Sequence, residues 1–234
     1  MPPIPWLDFV KSRPLWAILI GHTTYNWGFY VLFTSLPKYL KEVLGFDMKH
    51  NALYSALPYL IMWIAVNIVT QIGDHLIASG KSSKVTVRKV MQVLSEVPPA
   101  IFLGLIPFFG CNSFAVIALI CLCCCFNACC YCGYNVNHAD LAPSYTGLLF
   151  GITNTVANAP GFLTPEMVGA FTKEESTIQT WSKVWYTTAA IYLAGALFYA
   201  FFAEAELQPW AHQGQKRRRT RSNEDTRPLL AADS

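Results

Sequence analysis

Apolar residues dominate six stretches of this chain, at 15–36, 53–72, 90–109, 114–134, 148–171 and 185–202. Each is close to the ~20 residues an α-helix needs to cross a bilayer. Polar residues collect in the short connections between them. A soluble helical domain would show a polar face on each helix, and these stretches have few polar positions. The pattern predicts an all-α integral membrane protein with six transmembrane helices. Residues 1–14 form a cytosolic lead-in, 15–204 the bundle, and 205–234 a disordered cytosolic tail.

One stretch breaks the pattern. From Gly133 to Pro165 the chain is rich in Asn, Gly, Thr and Pro, although apolar runs flank it. Within it Gly147, Gly151, Asn154, Asn158, Gly161 and Pro165 recur every three or four residues. On a helix that spacing draws one stripe. Lipid has no use for such a stripe, whereas a polar path or a close helix contact does. Pro160 predicts a break that frees the Val156 carbonyl one turn earlier.

Composition agrees with the membrane reading. Hydrophobic residues make up 53% of the 234 residues and charged ones 13%, about half the ~25% usual in soluble domains. Met1 is followed by Pro2, Pro3 and Pro5 rather than by a charged and then an apolar region. The first crossing is therefore expected to serve as its own insertion signal. Six crossings put both ends on one side of the membrane. That side would hold Lys11, Arg13, the Lys81–Lys89 connection and the basic tail around Arg217, so both termini are expected in the cytosol. The net charge of +3 comes largely from this tail and does not point to nucleic acid.

The eight cysteines all lie between Cys111 and Cys132. Helical spacing scatters them around the axis, so no tetrahedral metal site forms among them. We read them as small packing residues, with palmitoylation of Cys129, Cys130 or Cys132 as the alternative. No metal and no cofactor is expected. In the first crossing Tyr25 and Asn26 sit beside His22, Phe29 and Phe33, an amide among aromatics suited to a small organic solute. In the fifth, Thr153, Asn154 and Asn158 complete a candidate substrate path. Gly147 and Gly151 read as a small-xxx-small contact with a neighbouring helix. Glu96 is a candidate proton-coupling carboxyl, or else the partner of Arg88 or Lys89 at the interface. His138 and Asp140 stand without a nucleophile or a second metal ligand. They are expected to cap helix ends and lock their loop to its neighbours, so no enzyme is expected.

Several segments are also similar to a known family. They are the run from Asn137 to Thr155, Tyr25–Tyr30, 36–44, 53–60, Gly73-Asp74 with 86–89, and Gln208–Ala211. Together they resemble the anion transporters that include sialin, the vesicular glutamate transporters and the type I phosphate cotransporters, within the major facilitator superfamily. The resemblance implies two six-helix bundles with a solute path between them, of which this chain matches the second. It implies a missing N-terminal six-helix half, a small organic or inorganic anion as substrate, and H+ or Na+ as the coupling ion. Tyr25-Asn26 resembles the sialin-type and insect phosphate-cotransporter-like branch, because the vesicular glutamate transporters have Arg at the position of Tyr25.

In the tail, Asp225 with Leu229 and Leu230 resembles an acidic dileucine sorting signal, which implies a sorting adaptor and a lysosomal or endosomal membrane. Two functions are thus expected from the sequence. One is a secondary active transporter of anions. The other is a truncated form or gene-model fragment that works, if at all, as a partner of a full-length relative.

Overall fold

The computed structural model describes residues 4–110 and 112–211, and these fold almost entirely into helices. A short α1 (Trp6–Lys11) leads into the long α2 (Arg13–Glu42). Then follow α3 (Met48–Ala78), α4 (Lys84–Phe109) and α5 (Ser113–Asn127), which runs through a 3-10 turn into α6 (Tyr134–Leu141). The pair α7 (Thr146–Ala157) and α8 (Pro160–Phe171) precedes α9 (Ile178–Phe202), and a last 3-10 turn spans Pro209–Ala211.

Local chemistry sets the ends. Asp47, Ser83 and Asn112 each accept a backbone N–H three residues on, at 2.9, 3.2 and 3.2 Å, and so start α3, α4 and α5. Thr177 and Thr180 form a reciprocal capping box at α9. Such caps satisfy N–H groups that have no partner inside the helix. Gly80, at φ 68°, closes α3 in the left-handed conformation that side chains avoid.

Among the described residues, four helices are fit by length and composition to cross a membrane: α3, α4, the α5–α6 rod and α9. The expected number was six. The first expected crossing is the 30-residue α2, but His22, Thr23, Thr24, Tyr25 and Asn26 dilute its apolar run. The fifth is split, because α7 and α8 have only 12 residues each.

Helix α2 packs against α9, α6, α7, α8 and α3, while α4 packs against both α9 and α5. The core holds Tyr39 edge-on to Trp181 and Trp185, with ring centroids 5.0 and 5.2 Å apart. The outer surface is apolar as well. Leu60, Trp63, Ile64, Ile68 and Ile72 form an exposed row on α3, and Leu193, Leu197 and Phe201 another on α9. Hydrocarbon accommodates such rows, and water would not.

One end of the bundle is tied by Phe9, Tyr145 and Trp210. Phe9 stands edge-on to Tyr145 at 5.8 Å and to Trp210 at 5.0 Å, which joins the lead-in, the α6–α7 junction and the segment after α9. The Gln208 N–H donates to the Leu141 carbonyl at 2.9 Å, and Ala211 is fully buried. Residues 205–211 are therefore packed on the bundle, not part of a tail as expected. Residues 212–234, with Asp225, Leu229 and Leu230, lie outside the described residues.

Candidate functional site

Of the predicted path residues, Asn26, Thr153 and Asn158 make contacts along one seam, where α2 meets α7 and α8, whereas Tyr25 packs on Tyr134 of α6 and Asn154 takes part through its carbonyl. Asn26 donates through Nδ2 to the Ala157 carbonyl at 2.8 Å. Tyr30 donates its hydroxyl to Asn158 Oδ1 at 2.6 Å, and Asn158 Nδ2 donates back to the Asn154 carbonyl at 2.7 Å. The break between α7 and α8 makes this possible. Pro160 cannot supply the N–H that would reach Val156, and the Val156 carbonyl instead takes the Ala159 N–H at 3.0 Å. Gly161 turns to Asn158 at 2.9 Å, which leaves the Ala157 carbonyl for Asn26. The freed carbonyl that a side chain captures is thus that of Ala157, not the expected Val156.

Deeper in the seam lies a cluster of rings and one hydroxyl. Thr153 is 1% exposed, and its Oγ1 sits 2.8 Å from His138 Nε2 and 3.4 Å from His22 Nδ1. His22 stacks on Tyr134 at 4.5 Å, and Tyr25 leans on the other side of Tyr134 at 5.7 Å. Phe150 covers both histidines, with centroids 5.9 Å from His22 and 5.5 Å from His138. Tyr25 is 5% exposed and belongs to this wall. Asn26, Asn154 and Asn158 are half-buried, and Gly147 and Gly151 are exposed.

The glycines differ from expectation. A Cβ added at Gly147 or Gly151 would meet nothing within 4 Å. Neither makes a close contact within the described residues, so the small-xxx-small partner is not in this part of the chain. Close approaches lie elsewhere. A Cβ at Gly195 would come within 2.6 Å of Thr24 Cβ, and one at Gly28 within 2.7 Å of Tyr192 Cε2.

Glu96 is fully buried in α4. Thr24 Oγ1 contacts its Oε1 at 2.7 Å, and its Oε2 has no hydrogen-bond partner among the described residues. Gln92, one turn earlier, offers Oε1 to the Tyr134 N–H at 3.1 Å, and its Nε2 also lacks a partner. Asn127 donates to the Ser95 carbonyl at 2.7 Å beside them. Of the two interfacial partners considered for Glu96, Arg88 points elsewhere, and Glu96 makes no ion pair among the described residues. Arg88 Nε donates to Asp140 Oδ2 at 2.7 Å and its Nη1 to the Cys132 carbonyl at 3.1 Å, with Lys84 3.4 Å from Asp140.

His138 contacts Thr153 of α7, and Asp140 pairs with Arg88 of α4. Neither caps a helix through its side chain. Of the described cysteines, only Cys125 is half-buried and the others are buried. Cys129 and Cys132 pack on Val87 and Met91. Thiols held this way are not presented for acylation.

Helices with a polar seam inside an apolar shell are one feature of a membrane transporter. The profile of the Major Facilitator Superfamily matches residues 1–165. The chain belongs to this superfamily. Sialin of Ovis aries is 42% identical over 216 residues, which cover 91% of this chain and 43% of sialin. Human sialin is 39% identical over the same length. Vesicular glutamate transporter 2 of Homo sapiens is 38% identical over 207 residues, or 88% of this chain and 35% of that protein. The chain thus spans less than half the length of these relatives. As a member of the superfamily it belongs with membrane transporters, not enzymes.

Within this superfamily member the sequence pattern had marked His22, His138 and Thr153 singly, on separate helices. It did not show that they meet. The residues missed altogether are Thr24, Gln92 and Tyr134. Their signal was weak, since a Thr, a Gln or a Tyr in an apolar run is most often a packing residue with a local hydrogen bond.

Proposed function

We propose that this chain is one bundle of a secondary active transporter of small organic anions, sialic acid-, glutamate- or phosphate-like. A proton or sodium gradient drives it. In this reading the chain crosses the membrane six times, through α2, α3, α4, α5–α6, α7–α8 and α9. Both termini face the cytosol, and the protein resides in a lysosomal, endosomal or other vesicle membrane. The tail signal at Asp225, Leu229 and Leu230 would engage a sorting adaptor.

The observation that carries this reading is the α2/α7–α8 seam. Asn26, Thr153 and Asn158 meet across it, with Tyr25 and Asn154 beside them, in a bundle whose outer surface is largely apolar. The exposed Gly147 and Gly151 extend the same face, and a second bundle placed against it would enclose a path between the two. Such a bundle would also meet the glycines at close range.

Glu96 supports proton coupling. Thr24 Oγ1 lies 2.7 Å from Glu96 Oε1 and also 2.9 Å from the Ile20 carbonyl. One hydroxyl hydrogen cannot serve both acceptors. A hydrogen carried by Glu96 resolves the conflict, because it donates to Thr24 while Thr24 donates to Ile20.

Uptake of sialic acid, glutamate and phosphate into vesicles, with proton and sodium gradients imposed separately, tests this reading. The test uses both the 234-residue chain and a two-bundle protein that contains it. Gradient-driven uptake of at least one anion by the two-bundle protein is expected. No uptake of any would overturn the reading.

A further inference from the structure

The cluster around Thr153 has a definite hydrogen count. His138 Nδ1 lies 3.2 Å from the Asn135 carbonyl. A carbonyl only accepts, so Nδ1 carries the hydrogen of a neutral His138 ring, and Nε2 is left as an acceptor. Nε2 is 2.8 Å from Thr153 Oγ1, so the threonine hydroxyl donates to it. That uses the only hydrogen on Oγ1. His22 Nδ1, at 3.4 Å from the same oxygen, must then be the donor. The three groups form a directed chain from His22 Nδ1–H to Thr153 O–H to His138 Nε2. His22 Nε2 has no hydrogen-bond partner among the described residues and is free to take a proton.

We infer that His22, Thr153 and His138 form a proton relay, in which a proton received by one ring is delivered to the other through the threonine hydroxyl. A proton binds His22 Nε2. The Nδ1–H bond breaks as its hydrogen moves to Thr153 Oγ1, and the original hydroxyl hydrogen moves to His138 Nε2. No net charge is created. His22 ends neutral with the hydrogen on Nε2, Thr153 again holds one hydrogen, and His138 becomes the cation.

The structure also has an acceptor for the hydrogen that Thr153 receives from His22. Thr153 Oγ1 lies 3.2 Å from the Phe150 carbonyl. When His138 is charged and donates through both nitrogens, the hydroxyl turns to that carbonyl. The single oxygen thus has acceptors for both states.

The surroundings leave the relay to itself. On α6, Tyr134 and His138 face His22, and Tyr199 of α9 and Gln92 of α4 approach the neighbouring Gly21. Glu96 of α4 is held by Thr24, two residues along α2. From α7 come only Phe150 and Thr153. Near His138, the charges of Arg88, Lys84 and Asp140 are paired with one another. No carboxylate contacts either ring among the described residues, so the proton's partners are each other and the hydroxyl. Thr153 of the relay adjoins the half-buried Asn154 and lies half a turn from the exposed Gly151, which gives the relay a part in coupling. That last role rests on the transport reading above, whereas the relay itself does not.

The test is histidine nitrogen NMR on the 234-residue chain in lipid bilayers across the pH range in which the rings titrate. His22 and His138 signals are assigned by single His→Gln variants. In the unaltered chain both neutral rings are expected to carry hydrogen on Nδ1. Proton uptake is expected to place the charge on His138 while His22 switches to the Nε2–H form. Thr153→Val keeps the shape and removes the hydroxyl. It should uncouple the two rings, so that they titrate separately and His22 loses its tautomer preference. Thr153→Ser should restore both behaviours, which sets aside a folding defect. A His22 that carries its hydrogen on Nε2 while His138 is still neutral, or a Thr153→Val chain in which both rings titrate as before, would overturn the relay. Proton-driven uptake by a two-bundle protein is read separately. A relay seen by NMR together with uptake unaffected by Thr153→Val leaves the relay standing and removes only its role in coupling.

Discussion

Arg88 and Asp140 are each only 10% exposed at the side chain, and they meet at 2.7 Å across α4 and α6. A buried charge that loses its partner is costly. Arg88→Ala is therefore expected to destabilise the bundle by about 3 kcal/mol. Lys84, 49% exposed and 3.4 Å from the same carboxylate, is a weaker contributor. Lys84→Ala should cost at most about 1 kcal/mol. Denaturant unfolding in detergent, followed by circular dichroism, measures both, and equal losses would contradict the ranking. Asp47 gives a pH effect with a definite sign. Its carboxylate accepts the His50 N–H and the His50 ring, and these bonds hold its pKa below the ordinary value. The cap is therefore fully present above the ordinary carboxylate range and is lost as the pH falls through the depressed value. Hydrogen exchange at the His50 and Asn51 amides should accelerate, relative to the rest of α3, only in acid. The same residues show where sequence reading stops. Glu96 and Arg88 are two turns apart on one helix and could be imagined as partners. Asp140, 52 residues from Arg88, takes the arginine, and no local pattern could have shown that.

At the level of helices the apolar runs were legible, because lipid and core both demand them over a fixed length. The break at Pro160 was legible too, since a proline removes one known hydrogen bond. The tightest helix contacts were not. Gly147 and Gly151 have the spacing of a packing motif but open onto space, while the isolated Gly28 and Gly195 touch Tyr192 and Thr24. Spacing along one helix marks a possible face, and the neighbour's position decides which glycine is needed. Gly195→Ala is expected to cost about 1–3 kcal/mol by overpacking against Thr24, and it should disturb the Glu96 contact as well. Gly28→Ala should be similar. Gly151→Ala should leave the unfolding of the isolated chain unchanged within about 0.5 kcal/mol. Unfolding midpoints of the three variants decide this, and a Gly151→Ala chain as unstable as Gly195→Ala would contradict the geometry.

For the whole molecule, membership of the Major Facilitator Superfamily explains why a bundle with an apolar shell keeps a polar seam on one side. The chain spans less than half of sialin's length, and the face carrying Gly147, Gly151, Asn154 and Asn158 has room for a second bundle. The candidate path was readable as a stripe of polar and small residues on two helices. Its depth was not, because the meeting of His22, Thr153 and His138 depends on how α2, α6 and α7 cross. The central claim is that this seam is half of a solute path. The most direct measurement compares gradient-driven anion uptake by a two-bundle protein containing these helices with its Asn154→Ala and Tyr25→Ala variants. We predict a clear loss of substrate affinity or rate in both, with the protein still folded. Unchanged affinity and rate in both variants would contradict the account.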